Sequence, residues 1–348
     1  RHMSQFMGTG GCSTIMLGMQ APFRIRRDIS REIDHGFAFP LGVVSGGQRP
    51  RTPGWCRVIW DEDETHPETM TYTIVVSHEM IRPLLHEFLR LLPPRVFGLL
   101  ELGSRDAFRE VDVFIGEEVD VDRFLGAWDF FESILLEDAM LGVGVNSRSP
   151  FLEIFLDPDK RLILHIEPGG DRVIEGILNR FGIERRHDED IQSVRNVKEL
   201  KLRPVLEQRP GCMLDSDHLL LELRSAWALL LDDDPDRNLD ARGRDIGFTL
   251  WHGLAQVDQE DPAGRRIGQA SVWGVATCRR DMAQLVRAKI AADEEWEFLE
   301  VLNLDRVAMD NRPTDLDGLQ TPLADAGVLL YDVEAVGTTP AAWDGRDG

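Results

Sequence analysis

The sequence predicts an α+β protein, and three observations carry that prediction. Residues 70–146 change periodicity in the order strand, helix, strand, strand, helix, strand. Residues 246–336 follow the order strand, strand, helix, strand, strand. The chain has 348 residues and a hydrophobic fraction of 43%, enough to bury a core without disulfide or metal staples. The first order is that of a split β-α-β sandwich, the ferredoxin-like arrangement, in the N-terminal half. The second describes another antiparallel α+β unit in the C-terminal half. Such folds host many unrelated functions.

The first strand is Met70–Ser77, rich in β-branched residues. Ile81, Leu84, Leu85, Phe88, Leu91 and Leu92 then recur at helical spacing. Ser77 is placed to cap that helix. Pro83 lacks an N–H and predicts a later start or a kink, and Pro93-Pro94 ends the helix. Val96–Leu102 is an apolar strand, and Val111–Ile115 alternates. Phe124, Trp128, Phe131 and Leu135 form the second helical stripe, and Met140–Val145 closes the set as a buried strand.

Phe151–Leu156 and Arg161–Ile166 make a hairpin around the turn 157–160. Val173, Ile174, Ile177, Leu178 and Phe181 make a helix that Gly182 terminates. Glu184–Asn196 is a charged linker, and Val197–Leu206 returns as a strand. His218–Leu231 fits both a helix and a strand, and its Leu and Ala content favours helix. Strands at 246–257 and 267–277 flank a loop with Pro262 and Gly264. A helix through Met282, Leu285, Val286 and Ile290 and strands at 296–304 and 328–336 follow. The expected domains are an arm at 1–50, the split sandwich at 51–148, a hairpin-helix extension at 149–210 that stands alone or belongs to the split sandwich, a second α+β domain at 211–340 and a tail at 341–348.

Net charge is −22. That opposes binding to nucleic acid and to anionic membranes, both of which need cations against phosphate. It suits solubility and a basic protein partner. Four cysteines, at 12, 56, 212 and 278, form no C-x-x-C pair and read as reduced thiols of a cytoplasmic, bacterial protein. The apolar stretch 15–19 is too short to span a bilayer. Arg24, Arg26, Arg27 and Arg31 form the one local basic cluster; it reads as an arm for pairing with acid elsewhere on the protein, with a small anion site as the alternative that the net charge disfavours.

Motifs for chemistry are incomplete. His86-Glu87 and His78-Glu79 have Arg90 and Arg82 where a zinc helix needs its second histidine, so they read as a solvated polar face. Asp234, Asp236, Asn238, Asp240 and Asp245 resemble a calcium ladder, but Leu239 stands where the loop needs glycine and the bidentate Glu is missing. Glu101, Glu117 and Glu118 carry no catalytic signal without a cleft. His165 and His252 are lone strand histidines. The sequence singles out no catalytic residue, no cofactor and no metal site. It points to an acidic protein that binds another protein, the oligomeric state being open. The rivals are a hydrolase-type enzyme assembled from distant Asp, Glu and His residues, and a self-assembling structural protein.

Overall fold

The computed structural model describes residues 23–44, 52–60, 68–187, 201–207, 216–240, 242–261 and 264–340. Cys12, Cys212, the stretch 15–19, the acidic runs at 61–64 and 188–190 and the tail 341–348 lie outside the described residues. In chain order the elements are β1 (Ile33–Asp34), β2 (Phe37–Ala38), β3 (Val43–Val44), β4 (Gly54–Trp60), β5 (Thr69–Val75), α1 (His78–Leu89), β6 (Arg95–Gly103) and β7 (Val111–Asp120). There follow α2 (Val121–Glu137), β8 (Leu141–Arg148), β9 (Phe151–Leu156), β10 (Leu162–Ile166), α3 (Asp171–Arg180), β11 (Lys201–Leu202), α4 (Ser216–Trp227) and β12 (Leu229–Leu231). The last are β13 (Thr249–Asp261), β14 (Gly264–Ala276), α5 (Arg279–Ala291), β15 (Glu297–Val307) and β16 (Gly327–Pro340). Among the described residues no helix is long and apolar enough to cross a membrane.

The fold is α+β with antiparallel pairing. Every element expected over 70–146 is present in the expected order. The sheet is larger than a four-stranded sandwich, with strand order β12-β7-β6-β8-β9-β10-β5-β4. The ferredoxin-like arrangement does not describe this order, because β9 and β10 stand between β8 and β5. Two departures produce it: β6, an edge strand in a split sandwich, lies between β7 and β8, and β10 pairs with β9 on one side and β5 on the other. Strand β10 therefore takes the hydrogen-bonding edge of β5 that the last strand of a split sandwich would need.

The chain divides into two compact units, one of residues 1–97, 118–140 and 145–228, the other of 98–117, 141–144 and 229–348. In the first, α1 buries Ile81, Leu84, Leu85 and Phe88, and α2 buries Phe124, Trp128, Phe131 and Leu135, as their periodicities require. Helix α1 begins at His78 and continues through Pro83, forfeiting the one bond that the missing N–H would make. Ser77 does not cap it; its hydroxyl donates to Glu79 (2.7 Å) and accepts the Ala38 amide (2.9 Å). Helix α3 ends as expected: Gly182, at φ 69°, and Ile183 donate to the carbonyls of Asn179 and Leu178, the paired bonds of a Schellman motif. The ambiguous run 218–231 uses both of its periods in succession. Helix α4 ends at Trp227, Ala228 turns at φ 50°, and Leu229–Leu231 pair as strand. Trp227 stacks on Phe124 at 4.8 Å.

In the second unit β15-β13-β14-β16 form a four-stranded antiparallel sheet. Strands β13 and β14 run further than expected, so the predicted loop 258–266 is mostly paired strand. Helix α5 packs Met282, Val286 and Ile290 against Trp251, Ala255, Val257, Ala270 and Val272.

Candidate functional site

Strand β7 has its faces inverted. The alternation Val111-Asp112-Val113-Phe114-Ile115 would ordinarily turn Val111, Val113 and Ile115 inward. Instead these are 42%, 38% and 37% exposed, while Asp112 and Phe114 are buried. Edge strand β12 extends the same face: Leu230 pairs directly with Ile115 and is 61% exposed. Four apolar side chains thus form one stripe on an open sheet face. Exposed carboxylates border it at Glu110, Glu117 and Asp232.

The inversion is held from behind. A one-residue slip would swap every side chain to the other face, and buried charges fix the register against it. Asp112 accepts a hydrogen bond from Arg109 Nε at 2.7 Å, and Arg109 Nη1 reaches Asp233, just beyond β12, at 2.8 Å. Arg279, at the start of α5, lies 3.5 Å from the same Asp233 oxygen. Asp106 and Arg306 form a second, almost fully buried pair: Arg306 Nε donates at 2.9 and 3.1 Å, and the Arg306 amide at 3.1 Å. Asp305 lies in the same cluster. Burial, reinforced by the charges of Asp112 and Asp106, pushes its carboxyl up to about 6. Breaking a buried pair strands a charge and costs about 3–5 kcal/mol, so this cluster is a strong register lock.

The chain matches no protein-family model, no curated protein and no solved structure. What the site does is therefore argued from its own residues.

Of the sequence candidates, His78 is mostly buried, whereas His86, with Arg82 and Arg90, keeps a largely solvated position as expected of a polar face. The two histidines pair with two glutamates of α2: His78 Nε2 with Glu137 at 3.1 Å, and His86 Nε2 with Glu132. Arg82 joins Glu132 at 2.8 Å, and Arg31 joins Glu137 at 2.5 Å. The arm arginines thus do pair with acid, through Arg31, while Arg26 holds Asp28 at 2.6 Å. Burial opposes ionisation of Glu137, but the hydrogen bonds from His78 and Arg31 outweigh it and hold the carboxyl at about 2.

The calcium-like carboxylates serve their own turns. Asp240 accepts from the amides of Arg242 and Arg244 and from Arg244 Nε, Asp245 accepts from the Gly247 amide, and Asp236 pairs with Arg280 at 2.8 Å. Among the described residues no group of three His, Cys, Asp or Glu is placed to hold a metal. Glu117 lies on the rim of the stripe, whereas Glu118 lies 3.5 Å from Arg95. His165 Nδ1 hydrogen-bonds Thr71 at 2.9 Å.

Sequence reasoning missed two features. Lys160, expected on an open turn, is 3% exposed among Asp138, Asp157, Asp159 and Glu137. Its one signal was rarity, since lysine occurs at only four positions in the chain. Asp106 and Arg306, 200 residues apart, carried no local signal.

Proposed function

We propose that this protein works by binding another protein through the β7–β12 stripe. The observation that carries the reading is the inverted strand. A chain that sets Asp112 in its interior and leaves Val111, Val113, Ile115 and Leu230 in solvent expends stability to keep an apolar surface open. Contiguous exposed apolar surface rimmed by polar groups is a feature of interaction sites. The partner's chemistry follows from the rim. Glu110, Glu117 and Asp232, on a chain of net charge −22, favour an apolar ridge flanked by lysine or arginine. They disfavour a second copy of the chain, which would bring like charges together. The reading places the protein in a cytoplasm, where a buried free thiol such as that of Cys278 persists.

The test uses Val113→Asp and Leu230→Asp, two solvent-facing substitutions that leave the core untouched. The full chain and both variants serve as baits in host lysate, and a captured protein is purified and titrated against each. A basic partner that binds the parent chain, and binds either variant at least about tenfold more weakly (~1.4 kcal/mol), supports the reading. A partner indifferent to both substitutions, or a parent chain already dimeric through the stripe at neutral pH, overturns it.

A further inference from the structure

The face of the four-stranded sheet opposite α5 carries a constellation that partner binding does not use. Across the strands, Asp305 on β15 stands opposite His252 on β13, which stands opposite Trp273 on β14. One row along lie Asn303, Leu254 and Ser271. The rows are bridged: His252 Nε2 lies 2.9 Å from Ser271 Oγ. The imidazole stacks on Trp273 with ring centres 4.4 Å apart, which fixes its plane. Ser271 and His252 are both half-buried, within reach of solvent and ligand.

Hydroxyl and imidazole at this distance, with a third group orienting the ring, is the arrangement of an activated nucleophile. Burial, with the charge of Arg105, pulls the His252 pKa down, which favours the neutral ring that can take a proton. Directly opposed residues in an antiparallel pair have Cβ atoms about 5 Å apart. Asp305 is therefore the cross-strand neighbour of His252, with no hydrogen bond or ion pair between the two side chains. Its Oδ2 accepts from Asn303 at 2.5 Å, and its buried Oδ1 has no hydrogen-bond partner among the described residues.

We propose that Ser271 is a catalytic nucleophile with His252 as its general base, and that the reaction is acyl transfer from an uncharged or cationic ester. His252 Nε2 takes the Ser271 proton as Oγ bonds to the ester carbonyl carbon. The bond to the alcohol oxygen then breaks, and the departing alkoxide takes that proton from His252. Water repeats the sequence on the acyl-serine and releases the acid. Asp305 is a positioning residue: its carboxylate offsets the charge that His252 gains in between. Trp273 and Leu254 offer apolar surface to the acyl group. Asp332, Glu334 and Glu300, cross-strand partners of Ser271, Gln269 and Gln256, repel anionic acyl groups.

The experiment treats the full chain with an alkyl fluorophosphonate, which bonds phosphorus to a nucleophilic serine oxygen with loss of fluoride, and maps the adduct by peptide mass spectrometry. Turnover of p-nitrophenyl butyrate is followed in parallel. The expected result is an adduct on Ser271, absent in Ser271→Ala. In His252→Gln, labelling slows at least about a hundredfold, with circular dichroism and melting unchanged. In Asp305→Asn the pH midpoint of labelling moves. No adduct on Ser271, or equal labelling in a folded His252→Gln, overturns the proposal. An unmoved midpoint in Asp305→Asn overturns the role of Asp305. None of these outcomes touches the β7–β12 stripe, so the two proposals fail separately.

Discussion

Lys160 has a backbone φ of 59°, a conformation uncommon outside glycine and asparagine. The tight turn that imposes it closes with Lys160 N–H donating to the Asp157 carbonyl at 2.8 Å. The turn sends the ammonium into the protein. Burial drags its pKa down to about 8, while the surrounding carboxylates Asp138, Asp157, Glu137 and Asp159 partly offset the fall. Below that value the folded protein holds a charge in a poorly solvated site. The corresponding disadvantage against the unfolded chain is about 3 kcal/mol. The sign is fixed by proton counting. Between about pH 8 and 10.5 the unfolded chain retains a proton on this lysine that the folded chain has lost. Stability from this group therefore rises with pH across that window. Urea denaturation from pH 7 to 10.5 should reveal the rise in the parent chain relative to Lys160→Met. Parallel profiles for the two proteins would show that the ammonium titrates as if in water. The residue's burial was not legible, because Asp-Pro-Asp-Lys is a solvent-turn sequence by every local rule, and only the fold brings Glu137 and Asp138 to it.

At the scale of elements, glycines that look alike in sequence have opposite meanings. Gly126 lies on the exposed face of α2, with nothing within 4 Å of where a Cβ would stand. Gly42 packs against the end of the same helix: a Cβ there would lie 2.6 Å from the Ala139 nitrogen and 2.7 Å from the Glu137 oxygen. Both are backbone atoms that cannot yield. Gly42 also bridges segments, donating to the Glu137 carbonyl and accepting from Arg203 N–H, each at 2.9 Å. Gly126→Ala should stabilise the protein by about 0.5–1 kcal/mol, by lowering the entropy of the unfolded chain and improving helix propensity. Gly42→Ala should destabilise it by about 1–3 kcal/mol through overpacking. Midpoints of chemical denaturation for the two variants decide it, and shifts of one sign for both would contradict this account. Element types were largely legible, since α1, α2, α3 and α5 announce themselves by apolar stripes. Strand partners were not. Nothing local in Leu162–Ile166 says that it will take the edge of β5, and nothing in Val111–Ile115 says which face turns outward. The latter is settled by Arg109, Asp233 and the pair Asp106–Arg306, contacts that periodicity does not encode.

At the scale of the whole molecule, charge and the open stripe act against each other. At pH 7 the net charge of −22 and the carboxylates bordering Val111, Val113, Ile115 and Leu230 keep like copies apart. The apolar stripe alone would draw them together. The sequence pI is about 4.8, and as pH falls toward it the repulsion fades while the apolar surface stays. Light scattering at low salt should therefore find a monomer at pH 7 and association setting in as pH approaches 4.8. The same balance predicts earlier onset at higher ionic strength, where surface charges are screened within about 10 Å at 0.1 M. The control separates the stripe from ordinary isoelectric precipitation. Val113→Asp and Leu230→Asp change net charge by one unit each, too little to move the pI far, yet each breaks the apolar surface. If either variant associates at the same pH and to the same extent as the parent chain, the stripe is not the adhesive surface. If both remain monomeric where the parent associates, the face that the inverted strand keeps open is the one that the acidic charge protects.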